Sequence, residues 1–208
     1  LRLGTQRLVS ASCWWDPAYG APGRGDASVV AVVFTDEDGN YRLHAIKYLT
    51  HDPAMVEHID EATQQCQHVA NFARDNHLPR VTIEKNGVGQ FLPGLLRNEF
   101  NKQGLPIAVR GLPSIRAKDL RILDAFDARL AAGRLYAHES VLASPFISEM
   151  REWRPGTNAR DDGLDAVAGC LLSEPVRLPR RSDISMPDRP PAWQGHGNPV
   201  TVKTDFAL

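Results

Sequence analysis

Residues 10–20 read SASCWWDPAYG, an apolar run that ends in an acidic residue, a proline and a glycine. Trp14 and Trp15 indicate a buried β-strand, and Pro17 ends that strand directly after Asp16. A carboxylate at the end of a buried strand costs free energy unless a cation meets it. Asp16 is therefore a candidate metal ligand, although an Asx-turn residue that leaves the strand would produce the same pattern.

Two other segments carry acidic residues in comparable places. Glu84 ends the predicted strand 80–84, and the glycines in KNGVG (85–89) would let the backbone approach a ligand closely. An exposed strand-end glutamate explains Glu84 equally well. Asp161, Asp162 and Asp165 open the apolar helix DDGLDAVAGCLL (161–172). For an isolated helix, an acidic first turn that caps the helix and favours its dipole is the more common explanation.

The combination of the three segments favours a metal site over three separate coincidences. Carboxylates without histidine or cysteine at ligand spacing suit Mg²⁺ or Mn²⁺, and they argue against zinc. The sequence contains no HExxH pattern, P-loop or GxSxG elbow. Metal-assisted phosphoryl transfer, as in a nuclease, is the predicted chemistry. Asp26 could reach the same site, but we favour a role at the start of the second strand.

Length and composition bound the remaining possibilities. The 208 residues, 42% of them hydrophobic, suffice for one buried domain with a tail. The net charge of −1 means that any contact with nucleic acid must come from a local basic patch. Three cysteines without CxxC spacing indicate buried thiols in a reducing compartment, and no apolar run is long enough to span a membrane, so we expect a soluble intracellular protein. The start at Leu1, close to the first strand, suggests a fragment of a longer polypeptide.

The periodicity predicts three antiparallel strands, followed by alternating helices and strands. The predicted strands are 7–15, 27–35, 41–48, 80–84, 105–110 and a small one at 134–137. The predicted helices are 53–76, 88–101, 118–132, 141–153 and 162–173. In helix 118–132 a stripe of Leu120, Leu123, Phe126 and Leu130 is expected to face the core. Prolines become frequent afterwards, which divides the chain into a domain of residues 1–174 and a Pro-rich tail of residues 175–208.

Basic residues lie near the predicted strand ends and the acidic helix. Cations in such loops can follow a phosphate backbone, although a solvated surface explains any single one equally well. The candidates for DNA contact are Lys85, Arg116, Lys118, Arg121 and Arg160.

Four stretches, in this order, resemble the C-terminal nuclease domain of the large terminase subunits of tailed bacteriophages. They are WWDPAYGAPGRGDASVVAVV (14–33), VTIEKNGVGQFLPGLL (81–96), KDLRILDAFDARLAAGRLY (118–136) and DDGLDAVAGCLL (161–172). The resemblance implies an α/β, ribonuclease-H-like fold. Its five-stranded mixed sheet would have three antiparallel and then two parallel strands, with helices on both faces.

The resemblance also implies an activity and its ligands. It implies a two-metal endonuclease that uses Mg²⁺ or Mn²⁺ to cut concatemeric double-stranded DNA. Asp16, Glu84 and Asp162 would be catalytic, and Asp161 and Asp165 would be additional candidate ligands. Arg160 stands where the family usually has a histidine.

The expected partners are an upstream ATPase domain of the same polypeptide, the portal and the small terminase subunit, in the cytoplasm of a bacterial host. Two alternatives stay open from the sequence. One is a Holliday-junction resolvase or transposase-like nuclease of the same fold. The other is a non-catalytic module whose Pro-rich tail docks a partner.

Overall fold

The computed structural model describes residues 1–19, 27–85, 90–113 and 116–179, which form one layered α/β unit. Its strands are β1 (Arg2–Leu3), β2 (Gln6–Asp16), β3 (Ser28–Asp36), β4 (Tyr41–Leu49), β5 (Arg80–Glu84), β6 (Ala108–Leu112), β7 (Leu135–Ala137) and β8 (Val176–Arg177). Its α-helices are α1 (Glu61–Asp75), α2 (Leu92–Lys102), α3 (Lys118–Ala131), α4 (Glu139–Leu142), α5 (Phe146–Glu152) and α6 (Asp162–Leu172). A single 3₁₀ turn, Pro53–Met55, precedes α1.

The sheet is mixed, and its main strands lie in the order β6-β5-β2-β3-β4-β7. β2, β3 and β4 form an antiparallel meander, while β5 pairs in parallel with β2 and β6 in parallel with β5. This is the predicted arrangement of three antiparallel and two parallel strands, so the ribonuclease-H-like fold class is confirmed. The described residues contain more than five strands, because β7 adds to β4 and the two-residue strands β1 and β8 pair with β2.

Helices cover both faces of the sheet, and the alternation of side chains along the central strands divides the core in two. Trp15 and Val30 pack with α1 and α2, whereas Trp14 and Ala31 pack with α3 and α6. Gly169 lets α6 approach β2 closely, because a Cβ at this position would lie 2.3 Å from the Trp14 ring. Helix α6 is thus held against β2 near the end of that strand.

Two predicted helices differ from the observed ones at prolines and caps. The helix predicted from residue 53 begins only at Glu61, because Asp60 accepts a hydrogen bond from the Thr63 amide at 2.9 Å and caps α1 there. The helix predicted for 141–153 is two helices, α4 and α5. Pro145 lies between them, and its missing N–H cannot continue a helix.

The predicted core stripe of α3 is wrong in three of its four positions. Leu120, Leu123 and Leu130 are exposed, and Phe126 alone is buried. The buried positions of the helix are Arg121, Ile122, Ala125 and Phe126. The helix is therefore rotated about its axis, with a guanidinium group directed toward the sheet where a leucine was expected.

The chain beyond α6 is only partly described. Val176 and Arg177 pair with Ala11 and Ser10 of β2, and residues 180–208 lie outside the described residues. The division into a domain and a Pro-rich tail at residue 174 therefore stays a prediction. Cys13, Cys66 and Cys170 are free and buried. Among the described helices none has the length and apolar character to cross a membrane.

Candidate metal centre

Three carboxylates meet where two parallel strands end and a helix begins. Trp15 of β2 lies opposite Ile83 of β5, so the next residues, Asp16 and Glu84, extend from the same edge of the sheet. Asp165 comes from the first turn of α6, which packs across β2 and β3. One carboxylate oxygen from each of Asp16, Glu84 and Asp165 lies within 4.8 Å of the other two. The fold therefore brings together acidic residues that are far apart in the sequence.

Two cations of α3 neutralise part of this negative charge. The Arg121 guanidinium lies 3.2 Å from Glu84 Oε2 through Nη1, and its Nε donates to Asp165 Oδ1 at 2.8 Å. Arg121 Nη2 also donates to Asp165 Oδ2. Lys118 Nζ lies 2.7 Å from Asp161 Oδ1 and 3.8 Å from Asp165 Oδ2. Arg121 explains the rotation of α3, because a buried carboxylate pair requires a partner of opposite charge.

The negative charge that Arg121 and Lys118 leave unbalanced affects the pKa of Asp16. Burial raises the pKa of Asp16 well above its ordinary value, and the charges of Asp165 and Glu84 raise it further. Lys118 and Arg121 lower the pKa of Asp16 but do not cancel that rise. Burial lowers the pKa of Lys118, yet its hydrogen bond to Asp161 and the charge of Asp165 raise it overall. A cation that bound among the carboxylates would favour the ionised form of Asp16.

Asp161 and Asp162 take other positions in the same helix turn. Asp161 is bound to Lys118, as described above, and Asp162 Oδ2 accepts a hydrogen bond from the Ala27 amide at 3.1 Å. Among the described residues, the group within 4.8 Å contains Asp165 but neither of these two. The side chain of Asp161 makes no capping hydrogen bond to α6. Asp161 thus binds a cation, whereas Asp162 accepts a hydrogen bond from the backbone.

The donor set suits a hard divalent cation. All three converging groups are carboxylates, and oxygen ligands are those that Mg²⁺, Mn²⁺ and Ca²⁺ prefer. Asp165 is 3% exposed and Glu84 7% exposed, so both are shielded from water. Like charges held this closely in a shielded place repel one another unless cations balance them. The residues present therefore fit a divalent metal site.

The predicted DNA-contacting residues divide into two groups. Lys85, Arg116 and Arg160 are exposed, and Arg116 makes an exposed ion pair with Asp124 at 3.0 Å. Lys118 and Arg121 instead bind the carboxylates of the centre. The three-residue spacing of Lys118 and Arg121, which places both on one helix face, is the sequence signal for this pairing. Asp26 and the loop 86–89 lie outside the described residues.

Sequence comparisons find no match for this chain, whereas comparison with solved structures finds similar folds. No protein-family model matches the chain, and no curated protein sequence matches it significantly. A Mn-soaked human cytomegalovirus terminase nuclease domain superposes with a TM-score of 0.57 and 14% identity. That match covers 77% of this chain and 81% of the viral domain.

Bacteriophage structures match to a similar degree. The nuclease domain of the large terminase subunit gp2 of bacterial virus Sf6 superposes with a TM-score of 0.53 and 12% identity, over 79% of this chain and 89% of that one. A mutant of that domain with manganese and beta-thujaplicinol gives a TM-score of 0.54 and 13% identity, with the same coverage. At these identities the likeness concerns the fold. The resemblance first noted in the sequence is thereby confirmed: this chain has the fold of the terminase nuclease domains.

Proposed function

We propose that this chain is a divalent-metal-dependent DNA endonuclease domain whose metal ligands are Asp16, Glu84 and Asp165. The observation that carries the proposal is the convergence of these three carboxylates within 4.8 Å, at the edge of a ribonuclease-H-like sheet. The ligand from α6 is Asp165 rather than Asp162, because Asp162 lies outside the converging group and bonds to the Ala27 amide. The family resemblance in the sequence implied Asp162 as the catalytic residue and Asp165 as an additional candidate ligand.

The site residues have distinct tasks in this proposal. Asp16 and Glu84, on neighbouring parallel strands, form a rigid pair, and Asp165 completes the set from α6. Mg²⁺ or Mn²⁺ bound there would activate water and stabilise negative charge on a phosphodiester. Asp161 is the candidate ligand for a second ion, because Lys118 contacts both Asp161 and Asp165 and so ties the two carboxylates together.

The substrate in this proposal is double-stranded DNA. Exposed Lys85 follows Glu84 directly, and exposed Arg116 and Arg160 lie just before α3 and α6, the helices that carry the site's cations and Asp165. Such charges hold a phosphate backbone without reading its sequence. The structural neighbours are terminase nuclease domains. We therefore propose that the domain cuts concatemeric DNA during phage genome packaging in the host cytoplasm, together with an upstream ATPase domain, the portal and the small terminase subunit.

Plasmid cleavage with Mn²⁺ or Mg²⁺ tests this function. The wild-type chain should nick and linearise supercoiled DNA, and EDTA should stop the reaction. Asp165→Asn should reduce cleavage by at least about a hundredfold, since loss of a direct ligand should cost no less than loss of a group that supports one. Asp162→Asn is the matched control in the same helix turn, and it should retain most of the activity.

Two results would contradict the proposal in different ways. If the folded wild-type chain binds no Mn²⁺ and leaves plasmid intact, the nuclease function is wrong. If Asp162→Asn abolishes cleavage while Asp165→Asn does not, the function stands and the choice of ligand is wrong.

A further inference from the structure

The first turn of α6 lacks a cap of its own. An α-helix begins with backbone N–H groups that have no partner within the helix, and the residue before the first turn usually supplies an acceptor. Asp161 holds that position, but its side chain makes no capping hydrogen bond and binds Lys118 at 2.7 Å. The acceptor for this turn must therefore come from elsewhere.

Glu149 of α5 supplies it. Its Oε2 accepts hydrogen bonds from the Gly163 amide at 2.8 Å and from the Leu164 amide at 3.2 Å. These are the second and third residues of α6, whose amides an N-terminal capping side chain ordinarily binds. Glu149 is 4% exposed, so water does not readily replace it. The helix is capped by a neighbouring helix.

Tyr48 and Gly163 hold this cap in place. The Tyr48 hydroxyl, at the end of β4, donates to Glu149 Oε1 at 2.8 Å. A Cβ on residue 163 would lie 2.0 Å from Tyr48 Oη and 2.8 Å from Glu149 Oε2. Glycine is therefore the residue that lets tyrosine, glutamate and helix meet. Tyr48, Glu149 and Gly163 come from three elements, and we call them the α6 clamp.

The α6 clamp contacts the helix turn that carries the candidate metal ligand Asp165. The Asp165 amide donates to the Asp161 carbonyl at 2.8 Å, which closes the turn that contains the two amides bound by Glu149. Because Glu149 does the capping, the carboxylate of Asp161 is available to Lys118 at the metal centre. The orientation of Asp165 toward Asp16 and Glu84 depends on where this turn begins.

We propose that Glu149, held by Tyr48, is a positioning residue of the metal centre. It caps α6 from outside, fixes the turn that presents Asp165, and leaves Asp161 free to face the site. This inference rests on the proposed function, because it assumes that Asp165 binds a metal ion. Glu149 itself acts through α6 and has no contact with the metal in this proposal.

Mn²⁺ affinity, measured by electron paramagnetic resonance on the full chain, tests the proposal without relying on activity. Glu149→Ala should weaken Mn²⁺ binding by about tenfold or more, the range found for groups that orient metal ligands. Glu149→Gln keeps an oxygen that can accept from both amides, so it should recover most of the affinity. Glu152→Ala removes an exposed glutamate from the same helix and should change nothing.

A second pair of variants tests the geometry of the clamp. Gly163→Ala should weaken Mn²⁺ binding, because its methyl group would collide with the Tyr48 hydroxyl. Adding Tyr48→Phe removes that oxygen and should restore part of the affinity. Thermal unfolding in EDTA and amide hydrogen exchange at Gly163 and Leu164 identify which variants are folded and which have a loosened turn.

The outcomes separate the two proposals. If the wild type binds Mn²⁺ and folded Glu149→Ala binds it equally well, the positioning role is wrong while the proposed function stands. If the wild type binds no Mn²⁺, the proposed function is wrong and the positioning role fails with it. Should Glu149→Ala not fold, Tyr48→Phe decides, because it releases Glu149 without removing the capping carboxylate: faster exchange at Gly163 and Leu164 should then accompany weaker Mn²⁺ binding. Faster exchange with unchanged Mn²⁺ affinity in Tyr48→Phe would overturn the role.

Discussion

Two carboxylate sites at opposite ends of the central sheet show how the same residue type is used for structure and for chemistry. At one end of β3, Asp36 is a single buried carboxylate surrounded by donors. It accepts from the Asp38 and Asn40 amides at 3.0 and 2.9 Å and from Arg42 Nε and Nη2 at 2.9 and 2.8 Å. At the far end of β2, Asp16 meets Glu84 and Asp165, two further carboxylates.

The pKa values of the two aspartates are shifted in opposite directions. Burial raises the pKa of Asp36, but hydrogen bonds from Asn40 and Arg42 outweigh it and lower the pKa overall. Burial and two neighbouring negative charges instead raise the pKa of Asp16. The Asp36 site is satisfied within the protein and stabilises a turn. In the Asp16 site the carboxylates repel one another, and a bound cation would reduce that repulsion.

The largest expected contrast comes from removing one charge at the metal centre. Asp16→Asn should reduce Mn²⁺-dependent plasmid cleavage by at least about a hundredfold, because a ligand is lost. The same variant should raise the melting temperature of the protein in EDTA, because it removes repulsion with Glu84 and Asp165. Cleavage assays and thermal unfolding measure the two effects. A lower melting temperature of Asp16→Asn in EDTA would contradict the prediction that repulsion among these carboxylates destabilises the protein.

Removing the carboxylate at the other end should do the reverse. Asp36→Ala should lower the free energy of unfolding by about 2 kcal/mol, since it leaves buried donors without their acceptor. For a chain of this size this corresponds to a melting temperature lower by about 6 °C. Mn²⁺ affinity should not change. Asp38→Ala, in the same turn but exposed, is the control and should have little effect on either quantity.

A smaller effect should follow from removing the cation that now balances the metal centre. Arg121 contacts both Glu84 and Asp165, so a divalent ion must compete with its guanidinium. Arg121→Gln should therefore tighten Mn²⁺ binding by about fivefold and lower the melting temperature in EDTA. Titration by electron paramagnetic resonance measures the affinity, and exposed Arg116→Gln is the control. Weaker Mn²⁺ binding in Arg121→Gln would show that Arg121 supports the ion instead of competing with it.

The smallest expected effect is a pH dependence that belongs to the Asp36 site. Because the folded-state pKa of Asp36 is lowered, its ionised form stabilises the protein above the unfolded pKa of about 3.9. That stabilisation should be lost as the pH falls through the lower, folded-state pKa. The difference in unfolding free energy between wild type and Asp36→Asn should thus shrink below about pH 4. Urea unfolding at several pH values measures it, and a constant difference would contradict the prediction.

Much of the fold was predictable because its signals are local. Apolar runs such as 28–34 and the turn at Asp38-Gly39 identify strands and hairpins without knowledge of distant contacts. Gly39 has a φ of 79°, and a hairpin turn of this kind requires such a positive φ, which glycine adopts without steric cost. Asp16 and Glu84 were recognisable as candidates because each follows a buried strand directly. The Asp60 cap that shortened the helix at 53–76 and the proline that divided the helix at 141–153 are local signals too, but each segment contained more than one residue at which a helix could begin.

The sequence by itself determined the main strands and helices in their chain order and two of the three converging carboxylates, since periodicity and strand ends are properties of single segments. Only the tertiary structure decided that Asp165 joins them, that Arg121 turns inward and that Glu149 caps α6. Each of these depends on how α3, α5 and α6 are rotated about their axes. That rotation follows from the balance of all buried charges and apolar faces together, and no single segment contains it.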